Sequence, residues 1–580
     1  MNFHNFCEFL NRLDSTSKRL EMTDILADLI SNLPASEIKN GIYLSLGTLK
    51  APFEDLKFNF ADKQMIKTLA AFTSETPEKI NQIYSKEGDL GSVAFSLAKE
   101  KNSEISLKDV YEKLVEIAEI EGTGSQDKKS QKIINLLSEL DPLSIKFVVR
   151  IILGNNRLGF TELTIIDGLC KFLGDKKHKE KIENAYNRHP DIGAISEKIK
   201  EHSIEGINKI KITPGVPVLP QKAQRLNTPE EIIEKMGNVW CEYKFDGTRV
   251  QLHLDKNKKT KSENLFESSE NFLVKTFTRN LEETTHQYPD IIEDAIKQLE
   301  VESVILDGEA IGFNRETGEY LPFQETIQRK RKHNVLEVSK QIPLKYLVFD
   351  ILYLNGEETL NLSLLERRKL LNQIVKKGGN IEIDTHIETS DASEVEDFFN
   401  EAKRRKLEGI MVKKPDSNYE AGARAFSWIK FKRNEKNEVS DTLDVVVMGY
   451  FYGKGVRSEF GIGGFLVGIF NPETNTYKTI SKIGSGLSDE EWVKIKKDCD
   501  EISVPEKPKD YEVEKDMNPD VWVKPKIVVA VRADEISKSP IHTAGLALRF
   551  PRLMNFREDK APNDTTTIEE IKDIYHLQNK

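Results

Sequence analysis

The sequence predicts a multi-domain chain: an all-α N-terminal region, an α+β middle domain and a small C-terminal β-barrel. Three observations carry this expectation. Apolar residues recur at three- and four-residue spacing up to about residue 210, the period of helices with one buried face. The run KITPGVPVLP (211–220) then interrupts the pattern with three prolines. Beyond it, alternating strand patterns take over, first mixed with amphipathic helices and later separated mainly by glycines.

Taken in order, residues 1–210 contain FCEFLNRL, RLEMTDILADLISNL and DPLSIKFVVRIILGNNRLGF, all with helical spacing. Proline cannot donate to a ladder and breaks a helix interior, so 211–220 reads as an extended linker. The middle domain, 211–433, carries the strands VWCEYKF, TRVQLHL, SVILDGEAIGF and LKYLVFDILYL, with helices such as LSLLERRKLLNQIV between them. A polar stretch, NEKNEVSDT, reads as a second linker. The remainder, 434–580, offers LDVVVMGYFYG, GGFLVGIF, YKTISKIGSG and IVVAVRADEI, short strands spaced as in a barrel. A chain of 580 residues exceeds one hydrophobic core, and three or four domains are expected.

Composition narrows the function classes. The net charge of −10 excludes a globally basic protein, so any nucleic-acid contact requires basic residues gathered locally. QRKRKH (328–333), KRRK (403–406) and KFKR (430–433) are such clusters. KRRK, within an apparent helix, reads better as a solvated face. The four cysteines, Cys7, Cys170, Cys241 and Cys499, are scattered without CxxC spacing. That argues against a zinc ribbon or disulfide framework and for a reduced compartment. Neither a signal peptide nor an apolar run of ~18 residues is present, so a cytoplasmic or nucleoid-associated location is expected.

The chemistry concentrates in the middle domain. In CEYKFDGTRV (241–250), Asp-Gly between alternating strands predicts a hairpin with a two-residue turn. Lys244 would then oppose Arg249, and Glu242, Lys244, Arg249 and Gln251 would share one sheet face. Two cations directly opposite repel unless an anion lies between them. The competing reading is a solvated hairpin tip. In SVILDGEAIGF, Asp307 and Glu309 share a strand face and need water, a cation or a metal. In KLEGIMVKKP, Glu408 precedes a strand ending in Lys413 and Lys414. In AFSWIKFKR, Trp428, Lys430 and Lys432 face opposite to Ile429 and Phe431. Each segment alone reads equally as an amphipathic strand. Together they supply the groups that hold a triphosphate with magnesium and carry out nucleophilic chemistry on it. No GxxxxGK[ST] is present, and GYFYGKGV and GIGGFLVG read as β-turns rather than phosphate loops.

The ordered set K-x-D-G-x-R (Lys244 to Arg249), FTRNLE (277–282), LDGE, YLVFDILYLNG, EGIMVKK, WIKFKR and LRFPR resembles the motif series of ATP-dependent DNA ligases, members of the covalent nucleotidyltransferase superfamily. The flanks SKRLEMTDILADL, GTGSQDKKSQKIINLL and FVVRIILGNNRLGF resemble the helical DNA-binding domain of the archaeal and eukaryotic replicative type. SKSPIHTAGLALRFPRLMNFREDKAPNDTTTIEEI resembles its C-terminal OB-fold. The resemblance covers nearly the whole chain. One departure is VPVLPQKA, where the family more often has Pro-Met-Leu-Ala.

The resemblance implies a helical DNA-binding domain at 1–210, an adenylation domain at 211–433 and an OB-fold domain at 434–580. It implies that Lys244 attacks the α-phosphate of ATP to form lysyl-AMP, and that AMP then passes to the 5′-phosphate of a nick, where the 3′-hydroxyl displaces it. Glu242 matches the reader of the adenine amino group. Arg249, Arg279, Glu309, Phe349, Arg424 and Lys430 match the remaining nucleotide contacts, and Glu309 and Glu408 the ligands of Mg2+. Lys432 and Arg549 match phosphate-contacting positions. Phe323 and Phe550 match an aromatic pair flanking the nick. The implied partner is nicked double-stranded DNA bound by a monomer without regard to sequence, in replication, repair and recombination. A sliding clamp is a further partner to consider, although no clamp-binding peptide stands out. The rival readings are an RNA ligase or capping guanylyltransferase of the same superfamily, and a non-catalytic DNA-binding clamp factor.

Overall fold

The computed structural model describes residues 1–259, 272–330, 335–405, 407–432 and 442–578. Its residues fall into two compact units. One comprises Met1–Phe60, Asn102–Lys132 and everything from Arg150 through the middle domain; the other comprises Ala61–Lys101, Ile133–Val149 and the C-terminal strands. Helices, from Phe3–Asp14 to Ile192–His202, make up the regular structure of the N-terminal region. They are thus divided between the two units. The second linker expected at 434–441 lies outside the described residues.

The middle domain contains two sheets. Its strands are β1 (Lys222–Arg225), β2 (Val239–Lys244), β3 (Thr248–Lys259), β4 (Phe272–Thr278), β5 (Ser303–Gly312), β6 (Leu344–Leu354), β7 (Glu357–Glu358), β8 (Ile381–Ile383), β9 (His386–Thr389), β10 (Gly409–Lys413) and β11 (Arg424–Lys432). The first sheet runs β1-β11-β10-β2-β9; the second runs β4-β3-β5-β6-β7, with β8 also on β6. Period-two alternation decides what each face buries. Val239, Cys241, Tyr243 and Phe245 join Ile410, Val412, Ile429 and Phe431 in the core of the first sheet, against helices Pro229–Met236 and Ala392–Arg404. Val250, Leu252, Leu254, Val304 and Leu306 do the same for the second, against Pro289–Gln298 and Leu364–Ile374. The opposite faces carry the polar residues.

The pairing around Asp246-Gly247 differs from the expected hairpin. β2 pairs with β9 and β10, and β3 with β4 and β5, so Lys244 does not oppose Arg249. Residues 245–247 instead carry the chain from one sheet to the other. A Cβ on Gly247 would lie 2.5 Å from the Ala310 carbonyl oxygen and 2.9 Å from Glu309 Cγ, so only glycine passes there. Turn chemistry is local, and here the long-range partners of the two strands outweigh it.

The proline-rich linker has neither helix nor strand, as expected. Its remaining amides find other partners. Val218 N–H donates to Gln251 Oε1 at 2.7 Å, and Gln251 Nε2 donates back to the Val218 carbonyl at 3.0 Å. Gly215 N–H donates to His253 Nδ1 at 3.1 Å, which places the ring proton on Nε2, where it donates to Gln251 Oε1 at 2.9 Å. Two β3 side chains therefore do for the linker what a neighbouring strand would do.

In the C-terminal part, Leu443–Phe451, Gly464–Asn471, Thr476–Ile483, Val528–Arg532 and Arg552–Phe556 form the body of an eight-stranded sheet. Its interior includes Val445, Phe465, Ile480 and Val529, with Trp492 and Ile571 from the helices Asp489–Glu501 and Ile568–Gln578. Buried Asp444 accepts both from Arg557 Nη1, at 3.0 and 3.1 Å, and from Lys560 Nζ, at 2.5 Å. The segment following LRFPR is anchored in this way.

His253 is fully buried and uncharged, its pKa pushed down to about 3 by burial and then by Lys275. The unfolded chain takes up this proton below about 6.5 and the folded chain does not, so stability rises with pH between those values. Calorimetric unfolding between pH 7 and pH 4 is expected to show a declining Tm. In His253→Asn the decline is shallower by up to about 1.4 kcal/mol per pH unit.

Candidate active site

A cleft of about 450 Å³ opens between the polar faces of the two sheets. Trp240, Glu242 and Lys244 lie on one face of β2 by alternation, while Met411 and Lys413 of β10 and Trp428 and Lys430 of β11 extend that surface. Arg249 of β3, Glu309 of β5 and Phe349 of β6 line it from the second sheet. Arg279, from the segment following β4, and Arg424 at the start of β11 complete it. The loop carrying Arg279 is held from outside, because Phe277 and Leu281 pack with Ala51 and Phe53, and Lys57 pairs with Glu282 at 2.9 Å.

One end of the cleft has compensated charges. Glu242, buried, meets Lys413 Nζ at 2.5 Å and Arg368 Nη1 at 3.4 Å, and accepts from the Trp240 indole N–H at 2.8 Å. Lys413 lies 4.9 Å from the centre of the Phe349 ring and 4.4 Å from that of Trp428, distances at which the ring faces attract a cation. Phe349 and Met411 are partly exposed, giving this end two apolar surfaces.

The other end is different. Arg279, Arg424 and Lys430 line the cleft and form no ion pair among the described residues. Burial lowers the pKa of Lys430, and the charges of Lys244, Arg424, Arg225 and Arg279 lower it further. Cations gathered without ion-pair partners suit an anion of several charges.

Arg249 does not stand free beside them. Its Nε and Nη2 bind Asp307 at 3.0 and 2.5 Å, Nη1 donates to the Gln221 carbonyl at 3.0 Å, and Nη2 reaches Tyr419 Oη at 3.2 Å. Tyr419 O–H in turn donates to Asp307 at 2.7 Å. This buried network ties β3 and β5 to the linker and to the loop before β11.

Lys244 ends β2 where the chain leaves for the second sheet. Its Nζ contacts Glu408, which also contacts Lys432. Burial is the largest influence lowering the Lys244 pKa; Arg279 and Arg249 lower it and Glu309 and Asp246 raise it. Desolvation thus acts on this amine ahead of the neighbouring cations. Glu309 is pushed up to about 7, by burial ahead of all else. Gly409, which follows Glu408, has φ 148°, and a Cβ there would lie 2.4 Å from the Phe431 carbonyl oxygen. That close strand approach sets Glu408 between the two lysines.

Of the residues expected from sequence, Lys244, Glu242, Arg249, Arg279, Glu309, Phe349, Arg424 and Lys430 line this single cleft, and Glu408 touches it through Lys244. Phe323 lines it too, at the start of a short helix. Phe550 is 67% exposed and has φ 51°, a backbone conformation costly for a non-glycine residue. Arg549 pairs with Glu535 at 3.3 Å. The basic runs differ in how open they are, Arg404 and Arg405 being exposed. Arg329 is buried on Asp290 at 2.6 Å, and Arg405 pairs with Glu401 at 2.5 Å. Residues 331–333, 406 and 433 of those runs lie outside the described residues. Sequence reasoning missed Trp240, Arg368, Tyr419, Gln221 and Asp384, and gave Lys413 no role.

A lysine at the seam of two sheets, with an uncompensated cationic pocket on one side and a charge-balanced aromatic pocket on the other, defines a nucleotide-transferring class of enzyme. Comparison with known proteins refines this. The ATP dependent DNA ligase domain family matches residues 220–432, the DNA ligase N terminus family residues 2–170, and the ATP dependent DNA ligase C terminal region family residues 458–560. The probable DNA ligase of Dictyoglomus turgidum is 39% identical over 589 residues, spanning 100% of this chain and 98% of its own length. DNA ligase 2 of Korarchaeum cryptofilum is 37% identical over 603 residues, spanning 100% and 98%. The solved structure Pmar-Lig_Pre. shares the fold at a TM-score of 0.54 and 15% identity, covering 95% of this chain and 99% of its own. The chain belongs to the ATP-dependent DNA ligase family and is an enzyme that seals nicks in DNA. The readings as an RNA ligase or a non-catalytic clamp factor are not favoured.

Asp307→Ala leaves the Arg249 guanidinium buried without its carboxylate, and a loss of about 3–5 kcal/mol of stability is expected. Tyr419→Phe removes the hydroxyl that donates to Asp307 and accepts from Arg249 and the Gln221 amide, and is expected to cost about 1–3 kcal/mol. Thermal unfolding of the two variants in parallel measures both.

Proposed function

We propose that Lys244 is the nucleophile of a three-step ligation and that the cleft is its ATP site. The observation that carries this reading is the position of Lys244, between the unpaired cations Arg279, Arg424 and Lys430 and the carboxylates Glu309 and Glu408. ATP enters with its phosphates toward the cations and its base toward Phe349, Met411 and Glu242. Burial makes the neutral amine of Lys244 more accessible, while contact with Glu408 favours the ammonium. Phosphates bound at the cationic end compete for Lys432 and Lys244 and loosen that contact. Nζ loses a proton and attacks the α-phosphorus; the N–P bond forms, the P–O bond to pyrophosphate breaks, and lysyl-AMP results. The 5′-phosphate at the nick then displaces Lys244 from the adenylate. Finally the 3′-hydroxyl displaces AMP and the strand is sealed.

Magnesium fits the donor set. Glu309 and Glu408 are hard oxygen donors, and no group of three His, Cys, Asp or Glu assembles among the described residues. A pair of carboxylates suits an ion that draws its other ligands from phosphates and water. When bound, it supplies charge neutralisation at the phosphates.

The assignment of 1–210 to DNA binding, 211–433 to adenylation and 434–580 to an OB-fold is part of the same proposal. It is supported by the helices of the first, the two-sheet cleft of the second and the β-rich core of the third. Exposed Phe550 is suited to contact nicked duplex DNA, and Phe323 to contact it at the mouth of the cleft. The enzyme acts as a monomer on phosphates and groove shape rather than base sequence. No helix among the described residues is long and apolar enough to cross a membrane.

Incubating the protein with magnesium and α-labelled ATP, then separating it under denaturing conditions, is expected to give a labelled band. Lys244→Ala abolishes it, and a band persisting in that variant sinks the nucleophile assignment. Arg279→Ala and Lys430→Ala are expected to keep the fold, judged by a Tm no lower than that of the unaltered protein, and to lower label formation at least about tenfold through lost charge stabilisation.

A further inference from the structure

The compensated end of the cleft holds two carboxyl groups, and the reading above uses one of them. Glu242 has its oxygens engaged by Lys413, Arg368 and the Trp240 indole. The second group is Asp384, buried and lining the same cleft. Its place is set by topology. Asp384 and Thr385 form the link between β8, which pairs with β6 of the second sheet, and β9, which pairs with β2 of the first. The backbone there is held on both sides: Asp384 N–H donates to the Val348 carbonyl at 3.3 Å, and its own carbonyl accepts from Arg368 Nη2 at 2.7 Å. The link is therefore a fixed seam rather than a loose loop, and it presents a carboxyl group where a ligand would sit.

That carboxyl group is spent on no side chain. It accepts a hydrogen bond from the Thr385 amide, and among the described residues no lysine or arginine lies within ion-pair distance of it. The charged groups facing it are Glu242 from β2, Lys413 from β10 and Arg368 from the helix Leu364–Ile374. Both cations are bound directly to Glu242. Burial first, and the Glu242 charge second, hold Asp384 well above the ordinary carboxylate range, which favours its neutral form, and that form carries a proton to donate in a hydrogen bond. The cations fix Glu242 as the acceptor of the two, so the acceptor–donor order along the wall of the cleft is set by the protein.

We propose that Asp384 is a second base-reading residue, its carboxylic O–H donating to a ring nitrogen beside the amino group that Glu242 accepts from. This rests on the assignment of the cleft to ATP. Adenine presents an amino donor flanked by ring-nitrogen acceptors, N1 on one side and N7 on the other, which complements a carboxylate beside a carboxylic acid. Guanine presents a carbonyl oxygen where adenine has its amino group. That oxygen would meet the Glu242 carboxylate acceptor to acceptor and leave both unpaired, which is costly in a buried site. Asp384 thus turns a single contact to the amino group into a two-point reading of the base. Its role is in binding and selection and touches no step of phosphoryl transfer.

The test uses the full chain and reads KM and kcat for formation of the labelled enzyme from ATP, 1-deaza-ATP, 7-deaza-ATP and GTP. In the unaltered protein one of the two deaza analogues is expected to show a KM raised about tenfold, the value of one buried hydrogen bond, with kcat little changed. Which analogue suffers identifies the nitrogen. Asp384→Leu raises the KM for ATP by a similar factor without further weakening that analogue. Asp384→Asn, which retains an N–H donor, stays within about threefold of the original for ATP. The proposal is overturned if both deaza analogues serve as well as ATP, or if Asp384→Leu weakens ATP and the affected analogue by equal factors. Should Asp384→Leu unfold, the analogue comparison on the unaltered protein and on Asp384→Asn decides alone. Absence of any label from ATP in the unaltered protein would instead remove the ATP-site assignment itself.

Discussion

The middle domain depends on one short crossing. The chain leaves β2 after Lys244 and enters β3 at Thr248, so three residues separate two different sheets. Gly247 makes this possible, since any Cβ there would run into the Ala310 carbonyl and Glu309. A crossing this short allows no adjustment, and the sheets must meet at one distance. Lys244 therefore stands at the seam, facing the cleft because Trp240 and Glu242 do so by alternation and because Tyr243 and Phe245 are held in the core behind. The position of Lys244 follows from backbone geometry before any charge acts on it.

The charges then lock the arrangement. Arg249 directs its donors to Asp307, Tyr419 and the Gln221 carbonyl, so the second sheet, the end of the linker and the loop before β11 share one buried network. Buried ion pairs contribute little net stability, and a packed apolar joint of the same volume would serve a fold as well. What the polar joint adds is direction, because a bidentate guanidinium fixes angles that methyl groups do not. Glu408 acts similarly at the end of the first sheet, where a single carboxylate contacts both Lys244 and Lys432. Lys413 and Arg368 do so for Glu242. In each case a residue lining the cleft is aimed by a partner from another element.

Most strands of this domain were legible in the sequence because their alternation is strong: VWCEYKF, TRVQLHL and AFSWIKFKR each place alternate residues in a core and in the cleft. Their partners were not legible. Asp-Gly is good hairpin chemistry, and nothing within CEYKFDGTRV signals that Arg249 will bind an aspartate 58 residues away. Periodicity likewise failed for LSLLERRKLLNQIV, whose pattern reads as an amphipathic helix with charged residues in solvent. Arg367 and Arg368 are both buried, one paired with Asp350 and the other with Glu242. A pair of arginines beside apolar residues carries no mark that distinguishes these cases, since the deciding carboxylates lie on other elements. Asp384 sits between strands of three and four residues, too short for any pattern. The resemblance to ligases supplied the cleft residues that the motifs contain, and left out those that hold them in place.

The distribution of charge explains how an acidic chain provides an anion site. The net charge is −10, yet Arg279, Arg424 and Lys430 line one end of the cleft without ion-pair partners among the described residues. Like charges gathered in this way repel, by an amount that grows from about 1 kcal/mol at 4 Å in water to about 4 kcal/mol in a protein-like surrounding. The effect is visible at Lys430, whose ammonium form is disfavoured by four neighbouring cations in addition to burial. At the other end, Glu242 cancels the charges of Lys413 and Arg368 inside the fold. Cations and a carboxylate thus cancel at one end of the cleft, while three cations at the other have no ion-pair partner among the described residues. A polyanion bound there, as proposed, would relieve this repulsion. Stability and phosphate affinity are thereby opposed at these three positions, because a carboxylate placed among them would settle the fold and close the site.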